Sequence, residues 1–172
     1  MAIRISETYR SIQRKLPAQR RAVVDAALQL GCSQEEAQLI SRHAHVRTYT
    51  PGHMIARLGS MGGTMNIIVD GDVVVRRLNH EDVTISTRGV IGELSALKEN
   101  WYQVADVECS TPVTALVFDA DQYKAFADAR GVVTNLVEDA RTVRAGILES
   151  ERQAARVEAW ERYQSIKQYI GR

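Results

Sequence analysis

Hydrophobic positions follow a helical spacing at both ends of the chain and a strand-like spacing in the middle. Residues 1–46 carry apolar side chains three and four positions apart, and Ser33 with Glu36 has the pattern of a helix capping box. Residues 47–118 instead carry short β-branched runs separated by glycine-containing turns. Residues 119–172 return to helical spacing. We therefore expect N-terminal helices over 1–46, a β-barrel over 47–118 and C-terminal helices over 119–172.

Six apolar runs in the middle segment predict β-strands. Because the runs are short and end at turn residues, they favour an antiparallel β-barrel or jelly roll over a parallel α/β sheet. Asp70-Gly71 lies between two runs and predicts a β-hairpin, since such a turn needs a positive φ that glycine adopts easily. The predicted fold class is mainly β with flanking helices. The runs are Met54–Leu58, Asn66–Val69, Asp72–Leu78, Val83–Ser86, Val104–Cys109 and Val113–Phe118.

An apolar seam in the last segment predicts a long helix. Its positions alternate three and four residues apart, which is the heptad spacing of helices that pair. The helix either packs on its own barrel or forms the stem of a homodimer, and we expect the homodimer. The seam consists of Val133, Leu136, Ala140, Val143, Ile147, Ser150, Ala154 and Val157.

Composition and charge narrow the class of protein. The chain has 172 residues, with 22 Lys and Arg against 21 Asp and Glu, so its formal net charge is +1. This balance argues against a molecule-wide surface for nucleic acid or membrane. Two cysteines do not make a disulfide framework, and no apolar run reaches the ~18 residues of a membrane span. We expect a cytoplasmic protein.

The first 21 residues carry the strongest local charge bias, with Glu7 as their one acidic residue. A basic helix can lie along a phosphate backbone, so a nucleic-acid-binding regulator is one alternative. The other is a solvated helix face, or a face that pairs with acidic residues elsewhere, and we favour it. The basic residues are Arg4, Arg10, Arg14, Lys15, Arg20 and Arg21.

Four stretches in the middle of the chain carry a resemblance to a known family. Tyr49–Ile55 looks like the family's opening strand, Ile67–Val75 like its hairpin, and Thr111–Leu116 like the strand before its final helices. The most specific stretch is Val90–Leu97, which is similar to the family's phosphate-binding cassette, Gly-Glu-x-(Ala/Gly)-Leu. Together they resemble the cyclic nucleotide-binding domain of the catabolite-activator type, over about residues 30–130.

The resemblance implies a ligand site in segment 89–97. A cyclic phosphate is an anion, and the start of a short helix offers backbone N–H groups with a favourable dipole. By resemblance, the amides of the cassette bind the phosphate, and Glu93 accepts a hydrogen bond from the ribose 2′-hydroxyl. The implied ligand is cyclic AMP or cyclic GMP. The cassette residues are Gly92, Glu93, Leu94, Ser95 and Ala96.

The sequence departs from the family at the cation that pairs with the phosphate. The family has an arginine and then a small hydroxyl residue, where Gln103 and Val104 stand here, ten residues after Glu93. Gln103 donates hydrogen bonds without charge, and Val104 donates none. Since a charge-assisted hydrogen bond contributes about 1.5–3 kcal/mol, we expect nucleotide binding to be weaker by at least one to two decades. Arg88 and Lys98 lie nearby in the sequence as candidate substitutes.

Three outcomes for the pocket stay open: a cyclic nucleotide binds weakly, another small molecule binds, or the pocket is empty. We expect a regulatory or sensor module that signals through its C-terminal helix, with a protein-interaction or assembly module as the alternative. No nucleophile, base and oxyanion donors assemble, so no enzyme is predicted. The four histidines lack the spacing of a metal site, and Gly59–Gly63 is interpreted as a turn at the barrel edge. The residues after Arg130 are too few for a winged helix-turn-helix, so DNA binding by that route is not expected.

Overall fold

Helices precede, interrupt and follow a set of short strands. The computed structural model describes residues 17–78, 80–97, 102–125, 127, 131–144, 156–158, 160–161, 164–165 and 167. Helices α1 (Ala18–Gln29) and α2 (Gln34–Ile40) come first. The strands are β1 (His45–Tyr49), β2 (Met54–Ala56), β3 (Thr64–Asp70), β4 (Val73–Arg76), β5 (Val83–Ile85), β6 (Val90–Ile91), β7 (Asp106–Cys109) and β8 (Val113–Asp119). The other helices are α3 (Glu93–Ala96), between β6 and β7, then α4 (Ala120–Lys124) and α5 (Val132–Arg144).

The strands form two four-stranded antiparallel sheets. One sheet has the order β1-β8-β3-β6 and the other β2-β7-β4-β5. An apolar core that draws residues from both sheets lies between them. The mainly β, jelly-roll-like fold predicted from the sequence is confirmed, with two packed sheets rather than a closed barrel. All six predicted strands are present, and β1 and β6 are strands that the apolar runs did not predict.

Strand β3 separates two apolar cores, because successive side chains of a strand point to opposite faces. Met65, Ile67 and Val69 belong to the core beneath the helices, whereas Ile68 belongs to the core between the sheets. Both faces of β3 are therefore covered, which explains why the successive residues Ile67–Val69 are all apolar. Asn66 shares the face of Ile68 and so lies on the side between the sheets.

The Asp70-Gly71 turn is not the hairpin that the sequence predicted. Strand β3 pairs with β6 and β8, whereas β4 pairs with β5 and β7, so the turn carries the chain from one sheet to the other. Gly71 has a φ of 90°, and a Cβ there would overlap the carbonyl oxygen of Pro112. Glycine is therefore required by this close approach between the two turns. The Asp-Gly pair correctly marks a turn, but the strands on either side of it, β3 and β4, do not pair with each other.

The capping box predicted at the start of α2 is confirmed. Ser33 Oγ accepts a hydrogen bond from the Glu36 amide at 3.2 Å, and the Glu36 carboxylate accepts one from the Ser33 amide at 2.6 Å. This pair satisfies amides that a helix start leaves without an internal acceptor.

The seam predicted as a dimer stem packs in its first part on the protein's own core. Val133 and Val137 are 2% and 1% exposed, and Leu136 and Ala140 pack against the same core. Val143 is instead 83% exposed. An amphipathic helix buries neighbours three and four positions apart in either kind of packing, so the spacing alone does not separate the two. Of the later positions, Val157 is exposed, and Ile147, Ser150 and Ala154 lie outside the described residues.

The basic segment falls mostly outside the described residues, which include Arg20 and Arg21 as exposed positions of α1. Arg4, Arg10, Arg14 and Lys15 are not among them. Of the helices in the described ranges, none combines the length and hydrophobicity that crossing a membrane requires.

Replacing Gly71 with alanine tests the sheet-to-sheet turn. We expect G71A to lower the free energy of unfolding by about 2 kcal/mol or more, because the methyl group meets the Pro112 carbonyl and the residue keeps a positive φ. The matched control is G52A, since Gly52 has a φ of 81° with open space around its Cβ position. Urea unfolding should show a clearly smaller loss of unfolding free energy for G52A than for G71A. Equal losses in the two variants would contradict the close contact between Gly71 and the Pro112 carbonyl.

Candidate functional site

The cassette begins with a left-handed turn at Gly92. Gly92 has a φ of 84°, ends β6 and caps the start of α3. A Cβ at this position would lie 2.5 Å from the carbonyl oxygen of Thr64. Only glycine fits here without displacing β3, because both the positive φ and the close backbone contact exclude a side chain. Thr64 was not singled out by the sequence, and Gly92 serves the packing of the turn on β3.

The first turn of α3 contains both used and unused backbone donors. The Ala96 amide donates to the Gly92 carbonyl at 2.9 Å, so it belongs to the helix rather than to a ligand. The amides of Leu94 and Ser95 lie in the first turn of α3, where a helix leaves its N–H groups without an acceptor of its own. Glu93 is 1% exposed, and its carboxylate is held inside the protein. The donor set is therefore narrower than the resemblance implied, and it centres on Leu94 and Ser95.

The hydroxyl of Ser95 is used by the protein itself. Ser95 Oγ donates to the Gly92 carbonyl at 3.0 Å, and the residue is 5% exposed. A Cβ at Gly62 would overlap the Ser95 side chain, so the backbone at Gly62, within Gly59–Gly63, packs directly on the cassette. The segment interpreted as an edge turn is thus part of the site's wall, and its glycine content was the available signal.

Gln103 lies at the cassette, as the ungapped resemblance predicted. Its backbone amide donates to the Ser60 carbonyl at 2.7 Å, and its carbonyl accepts from the Gly59 amide at 2.8 Å. Its Nε2 lies 3.2 Å from the Cβ position of Gly62 and 3.7 Å from that of Gly92. The carboxamide therefore lies between Gly62 and the cassette turn, where it offers a donor without charge.

The two basic residues considered as substitutes do not supply a cation in the described part of the site. The Arg88 guanidinium donates to the Leu30 carbonyl at 2.7 Å and so binds the end of α1 instead of the cassette. Lys98 lies outside the described residues. Val104 is half-buried beside Gln103 and offers no polar group.

Glu36 connects the N-terminal helices to α5. One carboxylate oxygen accepts from the Ser33 amide at 2.6 Å, and the other accepts from the Val132 amide at 3.0 Å. These hydrogen bonds, led by that from Ser33, lower the pKa of Glu36 below its usual value. The same carboxylate thus caps α2 and α5. Helix α5 also shares a core with the cassette, through Val133 and Ala96.

The buried thiols favour packing over nucleophilic chemistry. Burial, with the nearby charge of Glu36, raises the pKa of Cys32 to about 11, so its thiol is protonated at neutral pH. Burial likewise raises the pKa of Cys109. Across the described residues, no three His, Cys, Asp or Glu side chains group as metal ligands.

No family model and no curated protein matches the sequence, whereas solved structures do. The regulatory domain of protein kinase A from Toxoplasma gondii, solved with cAMP, has 16% identity and a TM-score of 0.58 over 72% of this chain and 50% of that chain. The regulatory subunit of a cAMP-independent protein kinase A from Trypanosoma brucei has 20% identity and a TM-score of 0.54, over 79% of this chain and 49% of that chain. A cAMP-binding acyltransferase from Mycobacterium smegmatis has 22% identity and a TM-score of 0.54, over 82% of this chain and 43% of that chain.

These likenesses define the fold. The chain spans about half the length of the Toxoplasma gondii regulatory domain that it matches. At these identities the match concerns architecture alone, and this chain has the fold of a cyclic nucleotide-binding domain. The resemblance predicted from the cassette and its flanking strands is thereby confirmed at the level of the fold.

The Glu36 connection predicts a pH dependence of stability. Because folding lowers the pKa of Glu36, its contribution is complete above the unfolded pKa, near 4.5, and is lost as pH falls through the lower folded pKa. We expect E36Q to cost about 1 kcal/mol at pH 7, since glutamine keeps one acceptor for two amides. Urea unfolding from pH 3 to pH 7 should show a flatter profile for E36Q than for the wild type. E35Q, at an exposed position of the same helix turn, is the control, and an equal flattening in E35Q would contradict the assignment.

Proposed function

We propose that this chain is a regulatory module that binds a cyclic nucleotide weakly at the cassette and transmits the bound state through α5. The observation that carries the proposal is the position of the Gln103 carboxamide beside Gly92, next to the unused amides of Leu94 and Ser95. A phosphate oxygen can accept hydrogen bonds from these neutral donors, and the buried Glu93 can accept one from the ribose hydroxyl.

Weak binding follows from the charge of this donor set. Amide donors stabilise a bound phosphate less than a guanidinium does, because neutral hydrogen bonds are about half as strong as charge-assisted ones. Arg88 is engaged with Leu30, so it does not add a positive charge at the cassette. The same fold occurs with and without dependence on cAMP, since the matched proteins include one solved with cAMP and one described as cAMP-independent.

The route from the cassette to the rest of the chain runs through α5. Ala96 of α3 and Val133 and Val137 of α5 belong to one core, so a shift of the cassette changes the surface on which α5 packs. Glu36 holds the start of α5 against α2. A ligand that prefers one cassette position would then shift the population of α5 positions, and the exposed part of α5 would present the change to a partner.

A second candidate is a protein-interaction or assembly module with a vestigial pocket. The packing of Gly62 on Ser95, and the use of the Ser95 hydroxyl by Gly92, favour it, because both fill the site with protein contacts. The two candidates differ in whether any cyclic nucleotide binds.

Restoring the positive charge separates these candidates. We expect Q103R to bind cyclic AMP or cyclic GMP at least about tenfold more tightly than the wild type, because a guanidinium at the Gln103 position forms a charge-assisted hydrogen bond with the phosphate. Isothermal titration calorimetry measures both affinities. V83R adds the same charge at an exposed position of β5 and should leave them unchanged. No heat from either nucleotide at millimolar concentration, in the wild type and in Q103R alike, would establish the vestigial pocket.

The homodimer expected from the seam remains part of the proposal. Val143, Val157 and Trp160 are large exposed apolar side chains of the C-terminal helical region, and a second copy of this region would cover them. Light scattering at micromolar concentration should give twice the 19.2 kDa mass of the chain. A V143E variant should shift the mass toward the monomer, and a monomeric wild type would rule the dimer out.

A further inference from the structure

Asn66 is a buried polar residue on the face of β3 that lines the space between the two sheets. It is 3% exposed and shares this face with Ile68, which is part of the apolar core between the sheets. Its Oδ1 accepts a hydrogen bond from the Tyr49 hydroxyl at 2.8 Å. This hydrogen bond is the one that the Asn66 side chain makes with other residues in the described ranges. A leucine would fill this position without the desolvation cost of an amide. A buried amide here is therefore expected to have a hydrogen-bonding role.

The orientation of this amide is fixed from the Tyr49 side. The Tyr49 ring stacks on His53, with 4.9 Å between ring centroids and an interplanar angle of 28°. Burial raises the pKa of Tyr49, so its hydroxyl keeps its proton and acts as the donor to Oδ1. The two N–H bonds of Asn66 Nδ2 are thereby left as donors, which an acceptor atom would satisfy.

Asn66 is also close to the cassette. Its Cα partner across the sheet is Ile91, and the residue after Ile91 is Gly92. Thr64, two residues before Asn66 on the same strand, makes the close backbone contact with Gly92. The unused donor of Asn66 thus lies on the inner side of the cassette turn, while the Gln103 carboxamide lies beside the same turn.

We propose that Asn66, held by Tyr49, is a specificity-determining donor for the inner end of the ligand. The proposal rests on the proposed function and adds the chemistry of the group recognised, which is a hydrogen-bond acceptor. The 6-carbonyl of guanine or hypoxanthine is such an acceptor, whereas the 6-amino group of adenine is a donor. Ring acceptors such as N7 are common to all three bases, so selectivity arises where Asn66 meets the 6-position, and there the site prefers 6-oxopurine cyclic nucleotides to cyclic AMP.

The test compares selectivity in a variant that loses both polar groups. Y49F/N66L replaces the hydroxyl and the amide together, so neither is left buried without its partner, and a thermal unfolding midpoint at or above that of the parent shows that it folds. Calorimetry with cyclic GMP, cyclic IMP and cyclic AMP is carried out on the wild type and in the Q103R background. We expect both 6-oxopurine nucleotides to bind about fivefold more tightly than cyclic AMP, and the preference to disappear in Y49F/N66L. I68V, a smaller change on the same strand face, is the control and should keep the preference.

Each other outcome separates this inference from the proposed function. Nucleotide binding with the same selectivity in Y49F/N66L would overturn the inference alone and leave Asn66 as a structural residue satisfied by buried water. An equal loss of affinity for all three nucleotides would support the Asn66 donor, place its acceptor on an atom that the three nucleotides share, in the ribose phosphate or the purine ring, and overturn the base preference. An absence of binding in every variant, Q103R included, would overturn the proposed function and this inference with it.

Discussion

The contact between Gly92 and the backbone of β3 is the constraint on which the candidate site depends. Its positive φ turns the chain sharply out of β6, and the missing side chain lets the turn lie against the Thr64 carbonyl. Because the turn is held there, α3 begins beside Gly62 and beside Gln103. Glu93, the next residue, is carried into the interior by the same turn. Position and burial of the cassette are therefore set by one backbone contact.

The strands that the sequence predicted are those with a strong local signal. Runs such as Val113–Phe118 are β-branched, bounded by turn residues and buried on both faces, so the pattern and the fold agree. Strand β6 has only two residues, too few for any periodicity, and it exists because it pairs with β3. The Asp70-Gly71 turn shows a related limit. A turn signal reports backbone dihedral angles, whereas the pairing of the strands beside it is decided by the whole sheet arrangement.

The candidate site likewise contains residues that the sequence identified and residues that only the structure brought to it. Gly92, Glu93 and Gln103 were placed by their order and spacing within one resemblance, and the structure brings Gln103 to the cassette. Thr64 and Asn66 were not singled out, and Gly62 was assigned only to an edge turn, because their contacts with the cassette join segments far apart in the sequence. Arg88 is the opposite case. It is near the cassette in sequence, but its guanidinium reaches the Leu30 carbonyl on another element.

In the proposed site, the charge of the polar groups links the strength of ligand binding to its selectivity. A guanidinium attracts any phosphate, so it adds affinity without discriminating between the bases attached to it. Carboxamides such as those of Gln103 and Asn66 add less to affinity, and each offers a hydrogen-bonding pattern that either matches or opposes the atom it meets. In a buried space the opposed case is costly, because a polar group is then left without a partner. A site built from neutral amides and one buried carboxylate would therefore distinguish ligands mainly by their hydrogen-bonding groups, and the modest affinity and the selectivity that we propose have the same physical origin.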